Sequence, residues 1–202
     1  MSEQTAKKKV VLATRNQGKV REFNKLFEVL NLEAVSVSEF PDAPEVEEDG
    51  ETFEANALKK AKTISEVLGL PAIGDDSGLE VDALHGAPGV YSARFAGEQA
   101  TDEENYQKLL TKLADVPMKE RTARFRCTLA YVEPGQEPVI ATVACEGAIA
   151  HAPSGSNGFG YDPVFFVPSQ LCTMAELSPE QKNTISHRAM AMKDLLEKLK
   201  GR

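Results

Sequence analysis

The chain has 202 residues, 42% hydrophobic and 27% charged, proportions that suit a protein folding around its own core. Its 31 acidic and 23 basic side chains leave a net charge of −8, which excludes a general nucleic-acid binder because no basic surplus covers phosphates. No apolar run approaches a membrane span, no signal core follows Met1, and Cys127, Cys145 and Cys172 form no CxxC pair. These features predict a cytoplasmic protein without membrane contact, disulfide framework or cysteine zinc site. One domain spanning 1–202, or two closely joined lobes, is expected, with residues 1–8 as a flexible N-terminus.

Residues 9–13 form a short β-type run, and Thr14-Arg15-Asn16-Gln17-Gly18-Lys19 follows it. Val20, Phe23, Phe27 and Leu30 then recur at helical spacing. The polar loop therefore sits at a helix N-terminus, where free backbone N–H groups and the helix dipole favour a phosphate. Thr14 and Asn16 add neutral donors there and Lys19 a point charge, although the spacing is not that of a Walker A loop. Residues 32–37 read as a second strand. The acidic cluster from Glu45 to Glu51 precedes a helix with Phe53, Ala57, Ala61, Ile64 and Leu68 on one face and Gly69 as its stop. Acids near a helix start are stabilising for dipole reasons alone, which favours the structural reading of any single Glu here; the functional reading is that one of them joins Asp75 and Asp76 around a divalent cation.

The chain is organised around Gly74-Asp75-Asp76-Ser77-Gly78-Leu79, entered from the apolar run at 70–73. It reads as a strand ending in acids at a turn, a way to hold a hard metal ion or a general base at a sheet edge. Two neighbouring carboxylates stay ionised together only when a cation or strong donors offset their repulsion. The plain alternative is a solvated turn with Gly78 at positive φ.

Residues 79–84 alternate as a half-buried strand, and 85–89 form a Gly- and Pro-rich turn. Thr101 to Glu104 is a capping box opening a helix with Tyr106, Leu109, Leu110 and Leu113. Alternation from Ala123 to Tyr131, the turn Pro134-Gly135-Gln136 and the return from Val139 predict a hairpin with Arg124 and Arg126 on its polar face. The Gly-rich stretch at 151–160 runs through Phe159-Gly160-Tyr161-Asp162 into a strand at 164–167. Its aromatic residues suit either stacking on a flat ligand or a place in the core. Ser178 and Pro179 start a helical turn, and Ser186 caps a last helix. Cations His187 and Arg188 at that helix start, with Lys182 nearby, oppose the dipole and imply an external acceptor.

Four blocks in order, residues 13–19, 74–79, 158–163 (Gly158-Phe159-Gly160-Tyr161-Asp162-Pro163) and Ser186-His187-Arg188-Ala189, resemble the inosine triphosphate pyrophosphatase family. The resemblance runs from Val10 to Leu199. It implies an α/β fold with an elongated mixed β-sheet, flanking helices and two lobes around a nucleotide-binding cleft, in a homodimer. It also implies an enzyme that hydrolyses ITP, dITP, XTP and dXTP to monophosphate and pyrophosphate. On this likeness Thr14, Arg15, Asn16, Gln17, Gly18, Lys19 and Lys60 grip the phosphates. Glu48, Asp76 and Asp75 hold Mg2+, and Asp76 accepts the proton of the attacking water. Ser77, Phe159, Gly160, Tyr161 and Asp162 meet the nucleoside, while Lys182, His187 and Arg188 read the base edge. A shifted base preference and a non-catalytic nucleotide-binding regulator are the alternatives.

Overall fold

The structure, a computed structural model, describes residues 9–30 and 33–201. The N-terminal segment expected to be flexible and Leu32, the first residue of the expected second strand, lie outside the described residues. Strand β1 (Lys9–Leu12) leads into helix α1 (Gln17–Leu30), and β2 (Glu33–Ser36) returns parallel to β1 with Lys9 opposite Glu33. Helix α2 (Phe53–Leu68) crosses back to β3 (Ala72–Val81), also parallel to β1. Helix α3 (Asp102–Lys112) precedes the long strands β4 (Thr122–Val132) and β5 (Val139–Ile149). Antiparallel β6 (Phe165–Val167) and β7 (Cys172–Thr173) follow, then α4 (Pro179–Ile185) and α5 (His187–Lys200). The strands form a seven-stranded mixed sheet in the order β2-β1-β3-β4-β5-β6-β7, the α/β class expected. Parallel neighbours near the start need helical crossovers, whereas the antiparallel neighbours β5, β6 and β7 are joined without one.

The backbone packs as two compact units. One comprises the described residues up to Asp76, Thr128–Ala141, and those from Ala191 onward. Its buried apolar residues include Val11, Ala13, Val37, Ile64 and Ala72. Ala57 and Ala61 of α2 pack with Ala130 and Val132. These small side chains let the α2 backbone lie close to β3, so close that a Cβ on Gly74 would fall 2.0 Å from the Ala57 carbonyl oxygen. Both ends of α2 follow from sequence. Thr52 accepts the Ala55 N–H, and Gly69, at φ 65°, stops the helix in the left-handed region.

The other unit comprises Ser77–Cys127 and Thr142–Met190. Leu79, Val81, Leu109, Leu113, Phe125 and Phe165 lie in its core, with the Phe125 and Phe165 rings 4.4 Å apart. Arg121 is buried and donates to the carbonyls of Leu113, Val116 and Ala150 at 2.6, 2.9 and 3.1 Å. The Leu113 and Val116 oxygens lie just beyond the C-terminal end of α3, the favourable end for a cation. Arg124 and Arg126 are on the polar face as expected, but bound rather than free. Arg124 reaches Asp82 and Glu146, and Arg126 makes a two-pronged pair with Glu80.

Two local expectations are corrected. Asp75 and Asp76 do not end a strand at a turn, because β3 runs straight through them and through Gly78 to Val81. The strand stops there, and Asp82–Leu84 form a 3-10 turn rather than a further extended segment. Both aspartates are buried, at 1% and 3% exposure, so the compensation that a solvated turn would take from water must come from the protein.

The fit of Gly74 against α2 gives a direct test. Gly74→Ala should cost about 3 kcal/mol, since the obstacle is backbone that no rotamer change removes. Urea unfolding should show a lower midpoint at an unchanged slope.

Candidate active site

In the first unit, α1 begins at Gln17, so Gln17, Gly18 and Lys19 form the first helical turn rather than loop. Asn16 Oδ1 accepts the Gly18 and Lys19 N–H groups at 2.9 and 3.1 Å, and Thr14 Oγ1 accepts the Asn16 N–H at 3.2 Å. Those amides are thus engaged by the loop's own side chains. What the loop offers an anion is chiefly side-chain chemistry: the Thr14 hydroxyl proton, the Asn16 amide NH2 and the Lys19 ammonium. Arg15 turns to the Ala43 carbonyl at 3.0 Å, and the Gln17 amide reaches the Arg15 carbonyl at 3.4 Å.

Lys19 pairs with the carboxylate of Asp75. Lys60, buried on α2, donates both to Glu48 and to the backbone carbonyl of Asp75. Asp76 Oδ2 accepts from Asn56 Nδ2 at 2.9 Å. Asn56 is itself fixed, because its Oδ1 accepts the Gly50 N–H at 2.7 Å and so its NH2 must face the acid. Asn56 and Lys60 stand four residues apart on α2 and therefore share a face. Sequence reasoning passed over Asn56. The signal was a polar side chain between Phe53 and Ala57 on the stripe that also carries Lys60.

The electrostatics separate the carboxylates. Burial pushes Asp76 up to about 6 despite the opposing fields of Lys60 and Lys19 and the Asn56 hydrogen bond, with Glu48 adding to the rise. Burial also works on Glu48, but Lys60 and Lys19 outweigh it and hold the group below the usual carboxylate range. A carboxyl with a pKa near neutrality, beside two cations, is suited to accept a proton. These residues also fit a hard divalent cation. Glu48 and Asp76 are oxygen donors whose mutual repulsion such an ion would relieve. Among the described residues no group of three or more His, Cys, Asp and Glu side chains forms a self-sufficient metal cage. An ion held by one or two carboxylates would be completed by substrate phosphates and water.

The second unit assembles the other predicted residues. Lys182 and Asp162, both buried, pair at 2.6 Å, and the same Asp162 Oδ2 accepts the Phe159 N–H at 3.0 Å. Arg188 donates to Ser77 Oγ at 2.6 Å across 111 residues of sequence. The Lys182 ammonium and the Arg188 guanidinium lie 5.0 and 5.3 Å from the Phe159 ring centre, within cation–π range. His187 stacks on Phe125 at 4.8 Å. Tyr161 donates to the Ser92 carbonyl at 2.6 Å, and burial first, then the Asp102 charge, holds its phenol protonated far above the ordinary range. Tyr161 is thus a core anchor, and Phe159, half-buried, is the aromatic ring placed with the cations. Ser186 caps α5 as expected, accepting the Ala189 N–H. The conflict of His187 and Arg188 with the helix dipole is met in part by Ser77.

The model of the Ham1 family matches residues 10–198. A dITP/XTP pyrophosphatase of Geobacillus kaustophilus is 55% identical over 94% of this chain and 93% of its own length. One of Geobacter sulfurreducens is 54% identical over 91% and 92%. A HAM1 protein structure from Coxiella burnetii superposes with a TM-score of 0.86 at 44% identity, covering 96% of this chain and all of that one (100%). Sequence blocks, fold and relatives converge, and the chain belongs to the Ham1 family.

Proposed function

We propose that the protein is a nucleoside triphosphate pyrophosphatase hydrolysing the deaminated purine nucleotides dITP, ITP, XTP and dXTP to monophosphate and pyrophosphate. The substrate class follows from the relatives named dITP/XTP pyrophosphatase. The observation that carries the reaction is Asp76, a buried carboxylate oriented by Asn56, lifted to about 6 and set in the field of Lys19 and Lys60.

Asp76 orients a water molecule and takes its proton as the water oxygen bonds to the α-phosphorus. The bond from that phosphorus to the bridging oxygen breaks, and pyrophosphate leaves with the electron pair. Lys19 and Lys60, with Thr14 and Asn16, meet the charge of the triphosphate. Mg2+ held by Glu48 and Asp76, with Asp75 adjacent, would offset charge on the phosphates and on the leaving group.

The purine is read by the second group of residues. Phe159 offers a ring for stacking, and Lys182, His187 and Arg188 offer donors to a 6-oxo group. Adenine presents an amino donor at that position and leaves these donors unmatched. A site built to hydrogen-bond one group can reject an analogue lacking it by several orders of magnitude. Work on the free nucleotide pool suits a cytoplasmic enzyme, and a homodimer is the assembly that the family resemblance implies. No helix among the described residues is long and apolar enough to cross a membrane.

Pyrophosphate release with Mg2+ across ITP, XTP, ATP, CTP and UTP tests the reading. ITP and XTP should exceed ATP by about 100-fold or more in kcat/KM. Comparable turnover of ATP would remove the base-reading role from Lys182, His187 and Arg188.

Asp76→Asn should lower kcat by about 1000-fold or more while nucleotide binding survives. The same variant should be more stable than the wild type at neutral pH. An acid whose folded pKa is raised favours folding while protonated and loses that contribution as pH rises through about 6. The gain should approach about 3 kcal/mol at pH 8 and vanish below about pH 4, as read from thermal midpoints. In the wild type, kcat/KM should fall on the acid side with an apparent pKa no higher than about 6, because a bound cation only lowers it.

A further inference from the structure

Asp102 is the first residue of α3, where an acid is ordinarily accounted for by the helix dipole. The cap of this helix is made without it. Thr101 accepts the Glu104 N–H at 3.2 Å, and Glu104 reaches back to the Thr101 N–H at 2.7 Å. Asp102 instead points its Oδ2 at the Gly160 N–H, 58 residues away in sequence, at 2.7 Å.

The segment it holds has little stiffness of its own. Gly158 and Gly160 flank Phe159 and lie in the left-handed region at φ 78° and 63°, where glycine is at ease and many other conformations are also open to it. The order of this turn therefore depends on its tethers. Asp162 takes the Phe159 N–H, the Tyr161 hydroxyl is anchored on Ser92, and Asp102 takes the Gly160 N–H between them. The Asp162 and Asp102 bonds fix two successive amides on either side of the Phe159 carbonyl, and with them the ring lying by Lys182 and Arg188.

We infer that Asp102 is a positioning residue for base recognition, holding the Phe159 ring and its cations in register through the Gly160 amide. The inference rests on the proposed base-reading role of these residues. A loosened ring weakens purine binding and its discrimination without touching the hydrolytic group, so the effect falls on KM rather than kcat.

The test compares the full-length wild type with Asp102→Ala, Asp102→Asn and Thr101→Ala, using ITP and ATP as substrates. Asp102→Ala should raise KM for ITP about five- to tenfold, leave kcat within about twofold, and narrow the ITP preference over ATP by a similar factor. Asp102→Asn keeps an acceptor in the same place and should recover most of the loss. Thr101→Ala weakens the helix cap alone, and should lower the thermal midpoint while leaving KM in place. Hydrogen exchange at the Gly160 amide should quicken in Asp102→Ala, a readout independent of turnover.

Wild-type KM and selectivity in Asp102→Ala would overturn the inference, as would unchanged exchange at Gly160. Equal impairment of the Ala and Asn variants would overturn it in favour of a charge effect. A KM rise reproduced by Thr101→Ala would overturn it in favour of helix stability. A wild type that is selective while Asp102→Ala matches it sinks only this role. A wild type that turns over neither ITP nor XTP sinks the proposed function and this role together.

Discussion

Two adjacent carboxylates buried in the middle of a strand are the constraint on which the first unit depends. Asp75 and Asp76 in β3 are almost fully shielded from water, and an unpaired buried charge is costly enough to unfold a domain of this size. The fold meets the cost from two helices. α1 supplies Lys19 to the Asp75 carboxylate, and α2 supplies Lys60 to Glu48 and the Asp75 carbonyl, with Asn56 for Asp76. The compensation is deliberately uneven. Glu48 is held as an anion, whereas Asp76 is left with one amide donor and a raised pKa. The proposed role of Asp76 as base needs that inequality, because a carboxylate fully satisfied by lysines would be too weak a base to take a proton.

The second unit uses a related device for a different purpose. Lys182 is held by Asp162, Arg188 by Ser77, and both cations face the Phe159 ring. Truncating one partner of a buried pair such as Lys182–Asp162 leaves the other charge stranded, so the pair resists reorganisation. Long side chains that would otherwise sample many rotamers are thereby presented in one arrangement. Preorganised donors discriminate between an oxo and an amino group more sharply than mobile ones, because a mobile donor can turn away from a mismatch.

The local grammar of the chain was legible without the fold. Helix α2 ends at the Gly69 stop that its residue types announce, and α3 and α4 carry the capping boxes visible in sequence. The β4–β5 hairpin follows from alternation and a Pro-Gly turn. These features rest on interactions within a few residues, which sequence spacing records. The Asp75-Asp76 stretch was misread as the end of a strand because acids at a turn are the commoner pattern. Whether an acidic pair can continue a buried strand depends on lysines 56 and 15 residues away in sequence, and no local rule contains them.

By itself the sequence determined the elements, the residue types available for chemistry and the family pattern, since periodicity, caps and turn residues act at short range. The family resemblance, read from its blocks, added Lys19, Lys60, Glu48, Asp75 and Asp76 as one expected group, and Phe159, Lys182, His187 and Arg188 as another. Only the tertiary structure decided what each of them touches. It gave Asp76 its raised pKa and its Asn56 partner, turned Tyr161 inward as an anchor, and brought Asp102 to Gly160. Burial and pairing between distant residues set the proton affinity and orientation of a side chain, and these come into being only when the chain is folded.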